Sequence, residues 1–174
     1  MCVYTITDQD VCGGPPVDYA FSSHQWIRKT CGKDIRYPAI FANFMARMDW
    51  AAYGKGNRNP IVIVNGEKGL NPIIIEPETE EELQLNASKS VDPDPDKLTF
   101  HWWILPEAGT YTSTVSIREA DKANAILRIP QDAAGKELHI ICEVTDNGTP
   151  ALTSYRRVII RPKLGETFNL SGQR

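Results

Sequence analysis

The chain has 174 residues, 41% hydrophobic and 24% charged, with a formal net charge of -3 and an isoelectric point near 5.6. Such a composition predicts a globular chain with one good core and something extra. It gives no electrostatic basis for binding nucleic acid or an anionic membrane, both of which need concentrated Lys and Arg. No run reaches the length of a membrane span, and the opening MCVYTITDQD lacks the basic and apolar regions of an export signal.

Residues 2–7, CVYTIT, predict a short strand, and DQDVCGGPPVD is a loop rich in Gly and Pro. A helix is expected from Asp18 to about Cys31, holding Tyr19, Phe21, Trp26 and Ile27, with Gly32 as its stop. A second helix runs from Pro38 to Tyr53. There Ile40, Phe41, Phe44, Met45, Met48 and Ala52 recur at three- and four-residue spacings, Pro38 suits the first turn, and Gly54 ends the pattern. A strand-helix-helix block of this size is too small to bury its own apolar surface. It calls for a covering partner, either the following domain, a larger parent domain, or a second copy docked as a homodimer through these helices.

After the polar linker Gly54 to Pro60 the pattern changes to short β-rich runs. Eight runs qualify, Ile61–Val64, Pro72–Ile75, Glu82–Ala87, Lys97–Leu105, Thr112–Ile117, Asn124–Ile129, Lys136–Thr145 and Ser154–Arg161, for a fold of about seven strands. Short strands with regular turn signals predict a mainly β fold, an immunoglobulin-like antiparallel β-sandwich over residues 59–163. It is preceded by residues 1–58 and followed by a flexible tail, 164–174. Within it Leu98, Phe100, Trp102 and Ile104 share one face, with Trp102 as the core plug, and Thr99, His101, Trp103 and Leu105 share the other. Leu83, Leu85 and Ala87 alternate inward, as do Leu138, Ile140, Cys142 and Val144, and Val158 with Ile160. Cys2, Cys12, Cys31 and Cys142 form no CxxC pair and have no His at zinc-site spacing. Free thiols and a core closed by packing alone are expected.

Two sets of residues carry candidate chemistry. In a sandwich, the loop before the tryptophan strand and the last hairpin loop lie at one end, bringing Asp92, Asp94 and Asp96 toward Asp146 and Asn147. These are hard oxygen donors suited to calcium, although Lys97 replaces the glycine and no closing Glu completes a helix-loop-helix calcium loop. The reading preferred over a calcium site is that these residues cap tight turns by bonding their own backbone. The second set is an outward face with Trp103 and His101 beside Tyr155 and Arg157, flat aromatic rings next to hydrogen-bonding groups, suited either to stacking sugar rings or to contacting an adjoining domain. His24, His101 and His139 are scattered, with His139 on an outer strand face, and no Ser-His-Asp or Cys-His arrangement is present. Asn86, Asn147 and Asn169 begin glycosylation sequons.

The segments NASKSVDPDPDKLTFHWWILPEAGTY and IPQDAAGKELHIICEVTDNGTPALTSYRRVII are similar to the C-terminal immunoglobulin-like domain of a microbial cellulose-binding family with a nucleoside-hydrolase-like domain ahead of it. VYTITDQD, HQWIRKTC and FMARMDWAA resemble scattered parts of that α/β domain. Its aspartate-rich opening strand, which would hold calcium and sugar hydroxyls, has no counterpart, and VCGGPPVDYAFSS interrupts the DQD segment, so the chain resembles a shortened member. The resemblance implies a secreted or periplasmic, non-catalytic carbohydrate-binding or accessory module. Its partners would be a polysaccharide such as cellulose and a neighbouring hydrolase-like domain, with no required cofactor. The alternative is part of an N-glycosidase whose catalytic aspartates lie outside this chain.

Overall fold

The computed structural model describes residues 37–164. The strand expected at residues 2–7, the helix expected at 18–31 and the tail lie outside them, as do Cys2, Cys12, Cys31, His24 and Asn169. The described chain divides into two compact units, residues 37–61, 92–98 and 145–154 in one and 62–91, 99–144 and 155–164 in the other.

The first unit holds helix α1, Tyr37–Tyr53. Gly54 closes it with φ +67°, a left-handed conformation suited to glycine, and its N–H donates to Trp50 O at 3.0 Å. The apolar stripe read from the sequence is not the buried one: Phe41, Phe44, Met45 and Met48 are 43–53% exposed. The covered side follows Ala39, Asn43, Ala46 and Trp50 at the same helical spacing. Two side-chain bonds mark that side. Asn43 Nδ2 donates to Ala39 O and Trp50 Nε1 donates to Asn57 O.

The second unit is the sandwich. Nine short strands are present among the described residues: β1 Ile63–Val64, β2 Glu67–Lys68, β3 Ile73–Ile75, β4 Glu82–Asn86, β5 Thr99–Ile104, β6 Ile117–Arg118, β7 Asn124–Arg128, β8 Leu138–Thr145 and β9 Thr153–Ile160. One sheet has the order β3-β9-β8-β5, the other β4-β7-β6, and β1 and β2 form a separate hairpin. That hairpin turns on Asn65 and Gly66, both at positive φ, the Asn-Gly dipeptide that two-residue hairpins favour. The expected all-antiparallel arrangement is corrected at one edge, where β3 pairs parallel with β9.

The core forms where the sequence alternates. Trp102 is 1% exposed, and Leu85, Leu127, Ile140, Cys142, Val144, Val158 and Ile160 are fully buried. Trp102 Nε1 keeps its polar end satisfied by donating to Lys122 O at 2.9 Å. Cys142 is a free, buried thiol, which burial pushes well above its ordinary pKa. The strand expected at Thr112–Ile117 shrinks to Ile117–Arg118. Thr112, Ser113 and Thr114 are exposed and offer no inward apolar residues to hold them in a ladder. The first part of strand β8 is covered on both faces, since Ile141 and His139 are buried as well, while Glu143 and Thr145 further along are half-buried. His139 is therefore not on an open outer face.

Candidate functional site

The outer face of the four-stranded sheet assembles from two contacts that fix register. Leu105 N donates to His139 O, and Trp103 Nε1 donates to Glu143 Oε2 at 3.2 Å. Residue numbers fall on β5 as they rise on β8, so the two strands are antiparallel. This pairing sets Trp103 beside Ile141 and His101 beside Glu143. On the other side of β8, the Thr145 and Thr153 hydroxyls share a hydrogen bond at 2.9 Å and Arg161 Nε donates to Glu137 Oε1 at 2.7 Å. The same register sets Tyr155 beside Glu143 and Arg157 beside Ile141.

The four residues singled out in the sequence thus lie in two adjoining rows, His101, Glu143 and Tyr155 in one, Trp103, Ile141 and Arg157 in the next. His101 is exposed, and Trp103, Tyr155 and Arg157 are half-buried. β8 separates β5 from β9, so the two aromatic residues stand about 10 Å apart across the strands, two interstrand spacings. Glu143 and Ile141 are the members that sequence reading missed. Alternation marks both as outward, but only the pairing shows that they fill the space between the rings.

A third row of this face, Leu105, His139 and Ile159, is closed to solvent. His139 Nε2 lies 3.6 Å from Glu137 Oε2, and both ring nitrogens lack a hydrogen-bond partner. Burial lowers the imidazole below its usual pKa, and Arg157 and Arg161 add to this against the opposing pull of Glu137. Glu137 itself is held low by Arg161.

The acidic residues belong to the first unit, and there they are bonded to backbone and amide groups. Asp146, 4% exposed, accepts from Gly148 N and Leu152 N at 2.9 Å each and from Asn57 Nδ2 at 3.1 Å on both oxygens. Asn57 Nδ2 also donates to Pro150 O, which matches its two hydrogens. A Cβ on Gly148 would overlap the Asn57 amide, so only glycine allows this approach. Asp94 Oδ2 accepts from Arg58 N and Asp92 Oδ1 from Asp94 N, while Asn147 Oδ1 accepts from Lys97 N. Asp92 Oδ2 is buried without a partner. Burial raises the Asp92 pKa, helped by the negative charges of Asp146, Asp96 and Asp94. Among the described residues no group of three or more His, Cys, Asp or Glu side chains is placed to hold a metal ion.

Residues 82–162 match the family model described as cellulose-binding protein Sde0182, C-terminal domain. Among solved structures, the chain is similar to a nucleoside hydrolase-related hypothetical protein from Saccharophagus degradans that is associated with carbohydrate metabolism. The identity is 37% and the TM-score 0.72, over 76% of this chain and 34% of that one. The chain therefore spans about a third of that protein's length. It also aligns with the PKD domain of the KIAA 1837 protein, at 18% identity and TM-score 0.35 over 59% of this chain and 98% of that one. For human CDH23 EC21-23 the values are 14% and 0.41, over 59% and 33%. No curated protein matches.

Proposed function

We propose that the chain, whose residues 82–162 match the family model of the cellulose-binding protein Sde0182 C-terminal domain, is a non-catalytic carbohydrate-binding accessory module whose ligand surface is the outer face of the four-stranded sheet. The observation that carries this reading is Trp103, half-buried on β5 with its indole N–H held by Glu143. A ring fixed in orientation by a hydrogen bond loses little freedom when a sugar stacks on it. Glu143, His101 and Arg157 supply donors and acceptors for hydroxyls beside the ring. The span from Trp103 to Tyr155 is comparable to a disaccharide, so both aromatics can meet one extended chain. The solved neighbour, of which the aligned region is 34% and which is associated with carbohydrate metabolism, supports an accessory role beside a hydrolase-like domain.

The test is retention of the purified chain on insoluble cellulose. Trp103→Ala is expected to weaken retention roughly tenfold or more and Tyr155→Ala by less, with circular dichroism unchanged, as for loss of a central aromatic anchor. Failure of the parent chain to bind would overturn the carbohydrate face and leave Trp103 as a contact for an adjoining domain.

A further inference from the structure

Among the large apolar side chains that are exposed in the described residues, Phe41, Phe44, Met45 and Met48 lie together on α1, each 43–53% exposed. They recur at three- and four-residue intervals, so they form one continuous stripe about 10 Å long. The rings of Phe41 and Phe44 touch, with centroids 6.5 Å apart. The stripe carries no charge. Arg47 and Asp49, the nearest charged residues on the helix, flank it on opposite sides. A contiguous face of aromatic and thioether side chains is the composition that protein interfaces favour, and its exposure calls for a cover.

The order of the stripe selects the cover. Both rings precede both thioethers. A second copy of α1 laid antiparallel, with a two-fold axis between Phe44 and Met45, sets Phe41 against the partner's Met48 and Phe44 against the partner's Met45, and the reverse by symmetry. Every contact is then sulfur on ring, a favourable pairing, and the two helix dipoles oppose each other. A parallel copy would set ring on ring and thioether on thioether, with the dipoles aligned. Area fixes the strength. A side chain of this size presents on the order of 200 Å² when fully exposed, so the four give roughly 400 Å² per copy and about 800 Å² per pair. Stable complexes bury roughly 1,200–2,000 Å². The pair is therefore a weak one, with a dissociation constant on the order of 100 μM.

We propose that the exposed stripe of α1 is a docking surface for a second copy of this chain, two helices packing antiparallel so that each phenylalanine meets a methionine. The inference does not depend on the carbohydrate reading. It is tested by sedimentation equilibrium of the full chain between about 10 μM and 1 mM, concentrations that bracket the expected dissociation constant. The average mass is expected to rise from 19.5 kDa toward twice that value. Phe41→Glu alone and Met48→Lys alone should each weaken association at least tenfold, with circular dichroism unchanged because both positions are exposed. An equimolar mixture of the two variants should associate again, since the antiparallel order brings the new charges face to face. A parent chain that stays at 19.5 kDa throughout would overturn the proposal and leave the stripe to another segment of this chain or to an adjoining domain. Association that survives both single substitutions, or a mixture no tighter than either variant alone, would overturn it as well.

Discussion

In the sandwich, interior positions are filled by Trp102, Leu85, Leu127, Ile140, Val144, Val158 and Ile160, all nearly or wholly closed to water. In the unit that holds α1 and the loops 92–98 and 145–154, Phe41, Phe44, Met45 and Met48 of the helix are exposed and the buried positions include Asp146 and Thr153. There the order comes from directed bonds converging on Asp146 and Asn57. The contrast shows two ways for a short chain to fix its shape. Apolar burial is non-directional and tolerates rearrangement, whereas a buried carboxylate works only while its donors stay in place.

The comparison is sharpened most by Trp102→Ala. Removing the largest buried side chain leaves a cavity and an unpaired Lys122 carbonyl, and a loss of about 4 kcal/mol is expected by urea unfolding. A loss under about 1 kcal/mol would show that the core does not depend on this plug. Next comes Asp146→Ala, which strands the Gly148 and Leu152 N–H groups and the Asn57 amide. A cost of about 2–3 kcal/mol follows from leaving buried donors unsatisfied, and an unchanged unfolding midpoint would mean that the polar hub is dispensable. The smallest effect is expected from Asp92→Asn and has the opposite sign. The Asp92 carboxyl has a folded-state pKa above its ordinary value, first because it is desolvated and then because Asp146, Asp96 and Asp94 repel its charge. The folded state holds that proton more tightly than the unfolded one. Wild-type stability therefore falls as pH rises from the ordinary carboxylate pKa through the folded value. Asn keeps an oxygen for Asp94 N and removes the charge, so the variant should melt a degree or more higher at pH 7 and match the wild type once both carboxyls are protonated, near pH 3. Scanning calorimetry at the two pH values decides it, and a lower melting temperature at pH 7 would refute it.

Much of the sandwich is legible in the sequence because its signal is periodic. Alternation in Leu98 to Ile104 and Leu138 to Val144 identifies the buried faces, and the resemblance carried by Asn86 to Arg161 coincides with the family match over residues 82–162. Periodicity misleads for α1, where Phe41, Phe44, Met45 and Met48 mark a stripe that is exposed while Asn43 and Ala46 lie on the covered side. It also cannot show that the first part of β8 is covered twice, because a residue such as His139 reads as outward by alternation whatever lies over it. The Asn65-Gly66 dipeptide is a hairpin-turn signal in the sequence, but the strands it joins are only two residues long and carry no periodicity. At the candidate site, Trp103, His101, Tyr155 and Arg157 are visible as outward residues. Their common neighbourhood depends on the register of β8 with β9 and with β5, which is fixed by contacts such as Thr145 with Thr153 and Trp103 with Glu143, and no local pattern encodes it.

Among the described residues Cys142 is the one cysteine, and its free thiol lies midway along β8. Immunoglobulin-type domains of antibodies close the same space with a covalent bridge, so their persistence is tied to the redox potential around them. Here cohesion between the sheets comes from packing, and the sulfur, closed to solvent and held as the thiol by burial, is shielded from oxidants and reductants alike. The sandwich can therefore pass between reducing and oxidising surroundings without a change in the chemistry that holds it together.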